Sequence, residues 1–263
     1  MSAPPGNRRL IMEAAVGLAL ISLLCGFFWW IFASYGKEWR WDAAGKYSKS
    51  LWQAWLTTLG ISAGALPGSC LVAAVFIAGS RSRWHSVRWI TRGVVEILRG
   101  MPLLALILLG FYLVWTHPRI ESVLQSLGIA DRVFAGVALL SVFTAAYLSE
   151  ILRGGLESIP QGQIDSARAV GFDRGQVFRY VIFPQALRRV LPALAGQFVD
   201  LVKSSSLLSV IAVSEFYYEI KVYNSATFSG LEAYVLLAAG YLLINLPIAG
   251  LAHWMERRFR YQM

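Results

Sequence analysis

Cysteine is nearly missing from this chain. Cys25 and Cys70 are the only two in 263 residues, too few for a disulfide framework and wrongly spaced for zinc. Both lie in apolar runs, where a free cysteine behaves as a small hydrophobe. Histidine is just as scarce. His85, His117 and His253 fall in separate places, so no metal site or Cys/His nucleophile is expected. No Ser/His/Asp arrangement or paired acid stands out, and no catalytic residue is assigned. No G-x-x-x-x-G-K-[ST] loop is present to cradle phosphates, so the chain is not expected to hold ATP or another cofactor itself. Internal repeats and low-complexity linkers are absent too. Charge is sparse at 15% of residues, where soluble domains carry about 25%. Acids are scarcer still, 15 against 24 bases, for a net charge of +9. In an apolar chain that excess belongs on cytoplasmic loops rather than on a nucleic-acid surface. No nucleic-acid partner is expected.

What is abundant is apolar sequence: 57% of residues are hydrophobic and the mean hydropathy is +0.55. Several runs reach the roughly 20 residues that cross a bilayer as a helix. The pattern predicts an all-α, polytopic membrane protein with six spans. They run Leu10–Ala33, Leu51–Gly79, Pro102–Trp115, Val133–Leu152, Pro192–Val213 and Leu231–Trp254. The third is short and is expected to begin earlier, around Val94. The first follows Arg8 and Arg9 and is longer than a signal-peptide core, and Leu24 spoils a lipoprotein cleavage site before Cys25. It reads as an uncleaved span, with a twin-arginine signal as the alternative.

Counting basic residues between spans places 16 on one side and 7 on the other. The richer side holds both ends of the chain, Arg81–Arg99 and Arg153–Arg189, and is expected to be cytoplasmic, with both termini inside. Lys37, Arg40, Lys46 and Lys49 make the first outer loop the weak point of this orientation. Gly60, Gly64 and Gly68 recur every fourth residue and predict close helix packing along one face. Pro67 is expected to kink that span. Trp29, Trp30, Trp39, Trp41, Trp52 and Trp55 gather around the first outer loop as an interfacial belt. A stacking site for a ligand is the alternative.

Between the fourth and fifth spans lies QGQIDSARAVGFDRGQVFRYVIFPQ, Gln161 to Gln185. Pro160 and Gly162 break the chain. Ile164, Ala167 and Val170 then recur every third residue as one short apolar face. Gly171 is placed where glycine ends a helix. Asp173, three residues ahead of Gln176, forms a capping-box pattern that should start a second helix. Phe178, Val181 and Ile182 are its expected apolar side, and Pro184 and Pro192 are expected to bend the chain back toward the membrane. By pattern alone this is either a knob for a groove on another protein or an amphipathic hairpin on lipid headgroups.

Within the fifth span Asp200 and Lys203 lie roughly 12 and 17 Å along the helix from Pro192. Being three apart, they are neighbours on the helix surface. They read either as a neutralising structural pair or as pathway groups meeting the charged ends of a substrate, with Ser204 and Thr144 as further pathway candidates. Asn245 is a second mid-span polar group for which an interhelical hydrogen bond is expected. Glu96 with Arg99, and Glu150 with Arg153, read as structural ion pairs.

The loop resembles the EAA loop of ABC importer permeases: Glu-Ala-Ala, three residues, Gly, nine residues, Ile-x-Leu-Pro. Asp165, Ser166 and Ala167 stand in the first places, Gly171 in the glycine's, and Val181, Phe183 and Pro184 in the closing group. AYLSEILRGGLESIPQGQ, FPQALRRVLPAL, DLVKSSSLLSVIAVSEF, VEILRGMPLL and TLGIS are similar to words of the polar amino acid permeases. These are of the histidine, glutamine and glutamate/aspartate type, and LLGFYLVW and TAAYLSEILRGG lean weakly to the glutamate/aspartate branch. The resemblance runs from about Leu51 to Arg258. It implies a type I ABC permease domain over 51–258, with the coupling loop at 160–190. Residues 1–50 would add a helix and outer loop to the usual five spans. It implies that Gly162, Ile164, Asp165, Ser166, Ala167, Ala169, Gly171, Phe172 and Pro184 couple to an ATPase. Its implied partners are a cytoplasmic ABC ATPase dimer, a second permease subunit (same or sister chain) and a periplasmic amino acid-binding protein, in a bacterial inner membrane. The competing readings are an ion-coupled secondary transporter using Asp200 and a membrane-embedded enzyme.

Overall fold

The computed structural model describes residues 5–34, 39 and 41–260. Lys37 and Arg40 of the outer-side charge count lie outside the described residues. Among the described residues all regular structure is helical. The chain divides into two compact units, Met1–Trp41 and Asp42–Met263.

The first unit is dominated by α1, Pro5–Ser34. Its described large apolar side chains, from Met12 to Phe32, are exposed, as suits a lipid-facing helix. Trp39 and Trp41 stack 5.4 Å apart, and Phe32 lies against Trp39.

In the second unit α2, Trp41–Ser80, is a 40-residue helix that starts ten residues before the expected span and stays helical through Pro67. The amphipathic α3, His85–Gly100, meets α4, Leu103–Leu109, at a 112° bend. α4 continues as a π turn, Gly110–Trp115. The third span therefore does not extend straight back to Val94. Pro102 has no N–H to give, and Met101 before it takes extended geometry (ψ 141°), which breaks the helix. The short α5, Pro118–Ser126, leads to α6, Arg132–Glu157. After the loop, α9, Phe183–Ser204, packs between α6 and α11, Gly230–Arg260. Between α9 and α11 the chain runs through a 3₁₀ stretch, Ser205–Ile211, and a 12-residue helix, α10, Phe216–Thr227.

Among the described residues, five helices are long and apolar enough to cross a membrane, and the bent α3–α4 pair makes a sixth candidate. The core joins Ile61 and Ala65 of α2, Ile107 of α4, Leu140 of α6 and Leu201 of α9. The glycine stripe of α2 serves this packing at two of its three positions. Gly64 faces Val137, and a methyl group on Gly68 would collide with Ser141, whose hydroxyl donates to Ala65 O at 3.2 Å. Gly60 faces open space, so the stripe ends before it. Trp55 ties α2 to α11: its Nε1 donates to Gly240 O at 3.0 Å, while its ring stacks on Trp52.

Candidate functional site

The loop between α6 and α9 folds as two helical pieces around a glycine corner. α7, Gln161–Ala169, ends in a Schellman motif. Phe172 N–H donates to Ala167 O at 3.1 Å and Gly171 N–H to Arg168 O at 2.9 Å. Gly171 sits at φ +93°, a conformation side-chain-bearing residues rarely adopt. Asp173 then starts α8, Arg174–Gln176, with both halves of the capping box formed at 2.9 Å. α8 does not end there. A π turn, Val177–Ile182, carries it directly into α9, so the second loop helix and the fifth span form one helical course from Arg174 to Ile211. The prolines do not fold the chain back. Pro184 cannot donate, and its ring would press on the carbonyl four residues earlier; the wider turn absorbs this, Phe183 N–H reaching Phe178 O.

The faces differ from the sequence pattern in two places. Ala167 is buried and Ile164 half-buried, but Val170 is 75% exposed because it caps the helix. On the second piece Val177 is the buried residue and Phe178 is exposed. Gly162, Asp165, Ser166, Ala169, Gly171 and Phe172 are all exposed, and Pro184 is half-buried. Asp165 is held by Gln161 at 3.0 Å and by Arg168 at 3.7 Å. Gln185 Nε2 donates to Gln163 Oε1 at 2.7 Å, and Arg189 donates to Ser158 O. Both contacts tie the knob to the base of α9.

A second constellation lies between α6 and α9. Thr144, Asp200, Lys203 and Ser204 line one cavity of about 290 Å³ with Tyr147 and Gln197. Lys203 Nζ is 3.6 Å from Asp200 Oδ1, and the two side chains are 60% and 62% exposed in the single chain. All four sequence-selected polar residues thus meet in one groove. Asn245 Oδ1 is buried and accepts no hydrogen bond among the described residues.

The other two charged pairs are also in contact. Arg99 is 3.8 Å from Glu96, and its guanidinium lies over the Tyr147 ring. Arg153 bonds Glu150 and also reaches Glu157 at 2.7 Å. Phe76 and Ser80 of α2, Arg92 and Glu96 of α3 and Glu150 and Arg153 of α6 surround a cavity of about 480 Å³ at the ends of these helices.

Two buried acids, Glu215 and Glu232, escaped the sequence reading. Glu215 is fully buried and caps α10, accepting from Tyr217 N–H at 2.9 Å and Tyr218 N–H at 2.8 Å. It lay just beyond the expected end of the fifth span at Val213. Its signal was an acid directly before the aromatic run FYYEI, an N-cap position.

A bundle of apolar helices with a polar groove on an exposed face and a capped, exposed loop between two spans fits a membrane permease subunit. The chain belongs to the family of binding-protein-dependent transport system inner membrane components, whose family model matches residues 70–261. It is 32% identical over 201 residues to the probable glutamine ABC transporter permease protein GlnM of Bacillus subtilis (strain 168), covering 76% of this chain and 89% of that protein. To the nopaline transport system permease protein NocM of Agrobacterium fabrum (strain C58) it is 37% identical over 168 residues, 62% of this chain and 68% of that one. Among solved structures it is similar to an amino acid ABC transporter, with a TM-score of 0.71 and 28% identity over 84% of this chain and 100% of the other. The MetNI methionine ABC transporter shares the fold at a TM-score of 0.60 and 19% identity, over 80% of this chain and 98% of that one. Members of this family are permease subunits rather than enzymes, which removes the membrane-enzyme reading.

Proposed function

We propose that this chain is the membrane-spanning subunit of an ATP-driven importer of polar amino acids in a bacterial inner membrane. Its partners are a pair of cytoplasmic ATPases, a second permease subunit and an amino acid-binding protein on the outer side. The observation that carries this reading is the loop itself. α7 is short and capped at its end, and it is tied through Gln163 and Gln185 to the base of the fifth span. A push on Asp165, Ser166 and Ala169 travels along one unbroken helical course to Asp200 and Lys203. ATP binding and hydrolysis in the partner would supply that push, turning the groove outward and back.

The groove supports the cargo class. A polar amino acid presents an ammonium and a carboxylate, and Asp200 with Lys203 offers the complementary pair beside Thr144 and Ser204. Charges facing lipid cost at least about 2.5–3.5 kcal/mol each. This exposed face therefore calls for a second permease subunit or a water-filled pathway. Glutamine and nopaline in the names of the relatives fall in the same chemical class.

The test is affinity purification of the tagged chain from its own membrane, with uptake measured in the same cells. An ABC ATPase should co-purify. Gly171→Val costs about 1–2 kcal/mol at a left-handed corner; it should leave the permease in the membrane while uptake falls. Recovery without any ATPase, together with undiminished uptake by the variant, would overturn the reading.

A further inference from the structure

α6 carries two polar sites one after the other. Thr144 and Tyr147 line the groove that holds Asp200 and Lys203. Glu150 and Arg153 line the larger cavity of about 480 Å³ toward the end of α6 that leads into the knob. From Tyr147 to Glu150 is one helical turn, roughly 4.5 Å along the axis. The groups between the two sites touch one another. The Tyr147 hydroxyl donates to Arg99 O at 3.2 Å, and the Arg99 guanidinium lies 5.7 Å from the Tyr147 ring centre. Arg99 in turn stands 3.8 Å from Glu96, which lines the cavity.

The cavity has firm walls and an unbalanced lining. A methyl group on Gly79 would collide with Thr91, so α2 and α3 meet in contact beside it. Phe76 and Val95 give it an apolar side. Arg153 serves two carboxylates at once, Glu150 and Glu157, which leaves one negative charge over. Arg81 and Arg92 also line the cavity, and neither makes an ion pair among the described residues. Spare charges of both signs therefore face one space, whose volume falls within the range of about 300–1,000 Å³ usual for small-ligand sites. Guanidinium groups pair well with a carboxylate, and a spare carboxylate pairs with an ammonium. A simple anion would use only the arginines. An amino acid, with both ends charged, would use the whole lining.

We propose that this cavity is a second binding site for the amino acid, next to the groove on the knob side. Arg81 and Arg92 take its carboxylate, and the Glu150–Arg153–Glu157 cluster takes its ammonium. Tyr147 and Arg99 form the partition that the amino acid passes between the two sites. The proposal rests on the transport reading above for its ligand, and the test separates the two.

The experiment uses the full chain with the subunits that co-purify, carrying Cys25→Ala and Cys70→Ala. Ser80→Cys places a thiol in the cavity, and Ser204→Cys, in a second preparation, places one in the groove. Each reacts with N-ethylmaleimide, with and without a mixture of the standard amino acids other than cysteine. The mixture should slow both reactions severalfold. Arg92→Gln should abolish protection at position 80 and leave it intact at position 204, which also shows that the variant is folded. Inorganic phosphate should protect position 80 far less than the mixture does. Protection at position 204 alone overturns the proposal and leaves the groove reading standing. Protection at position 80 alone, lost with Arg92→Gln, keeps the cavity site and removes the groove's role. Protection at neither position overturns both. Equal protection of position 80 by phosphate, protection there that survives Arg92→Gln, or a thiol there that a partner subunit shields from reaction also overturns the proposal.

Discussion

Asp200 and Lys203 pose the sharpest question for a single pair of side chains. A structural pair and a pathway pair both satisfy the 3.6 Å contact. Removing both charges separates them. Asp200→Ala strands Lys203 in an apolar span and should lower uptake roughly tenfold or more, a rise of about 1.4 kcal/mol in the transport barrier. Adding Lys203→Ala restores neutrality. Uptake should stay low in the double variant, although assembly recovers; a structural pair would give uptake back. Gly68 makes a plainer prediction. A larger side chain there meets Ser141 across the α2–α6 seam. Gly68→Leu should lower stability by about 1–3 kcal/mol, read as a drop in melting temperature of the purified chain, while Gly60→Leu on open space should not.

Among the elements, the loop depends on its two caps. Asp173→Ala removes one half of the capping box at the head of α8 and should cost about 1 kcal/mol. Hydrogen exchange at the amides of Gln176 and Val177, which donate to Asp173, should then speed up roughly fivefold, that being about 1 kcal/mol as an equilibrium ratio. Unchanged exchange would show that the rest of the loop holds the helix without it. These caps were legible in the sequence because they are local: Gly171 and the Asp173–Gln176 spacing act within four residues. The spans were legible as apolar length, and the groove as polar residues inside such length. The α3–α4 bend was misplaced because a proline marks a break without giving its angle. The opposite error arose at Pro184, where a π turn carries the helix onward. Val170 and Phe178 share apolar faces by spacing and are both exposed, because cap position and tertiary contact decide burial at helix ends. Glu215 was invisible as a membrane acid because α10 turns back into the bundle beside Thr58 and Tyr241, a tertiary fact no local window contains.

At the scale of the molecule, the proposed function makes the chain a transmission without an engine. It has a groove of opposed charges and an unbroken helical course from that groove to a capped knob. In that proposal the energy enters through the knob from another protein. The measurement that tests this most directly is amino acid uptake into liposomes holding the purified chain, with its binding protein outside and ATP inside. Uptake should be absent for the permease alone and should appear, dependent on ATP, when the co-purified ATPase is added. Uptake by the permease alone, driven by an ion gradient, would contradict the account.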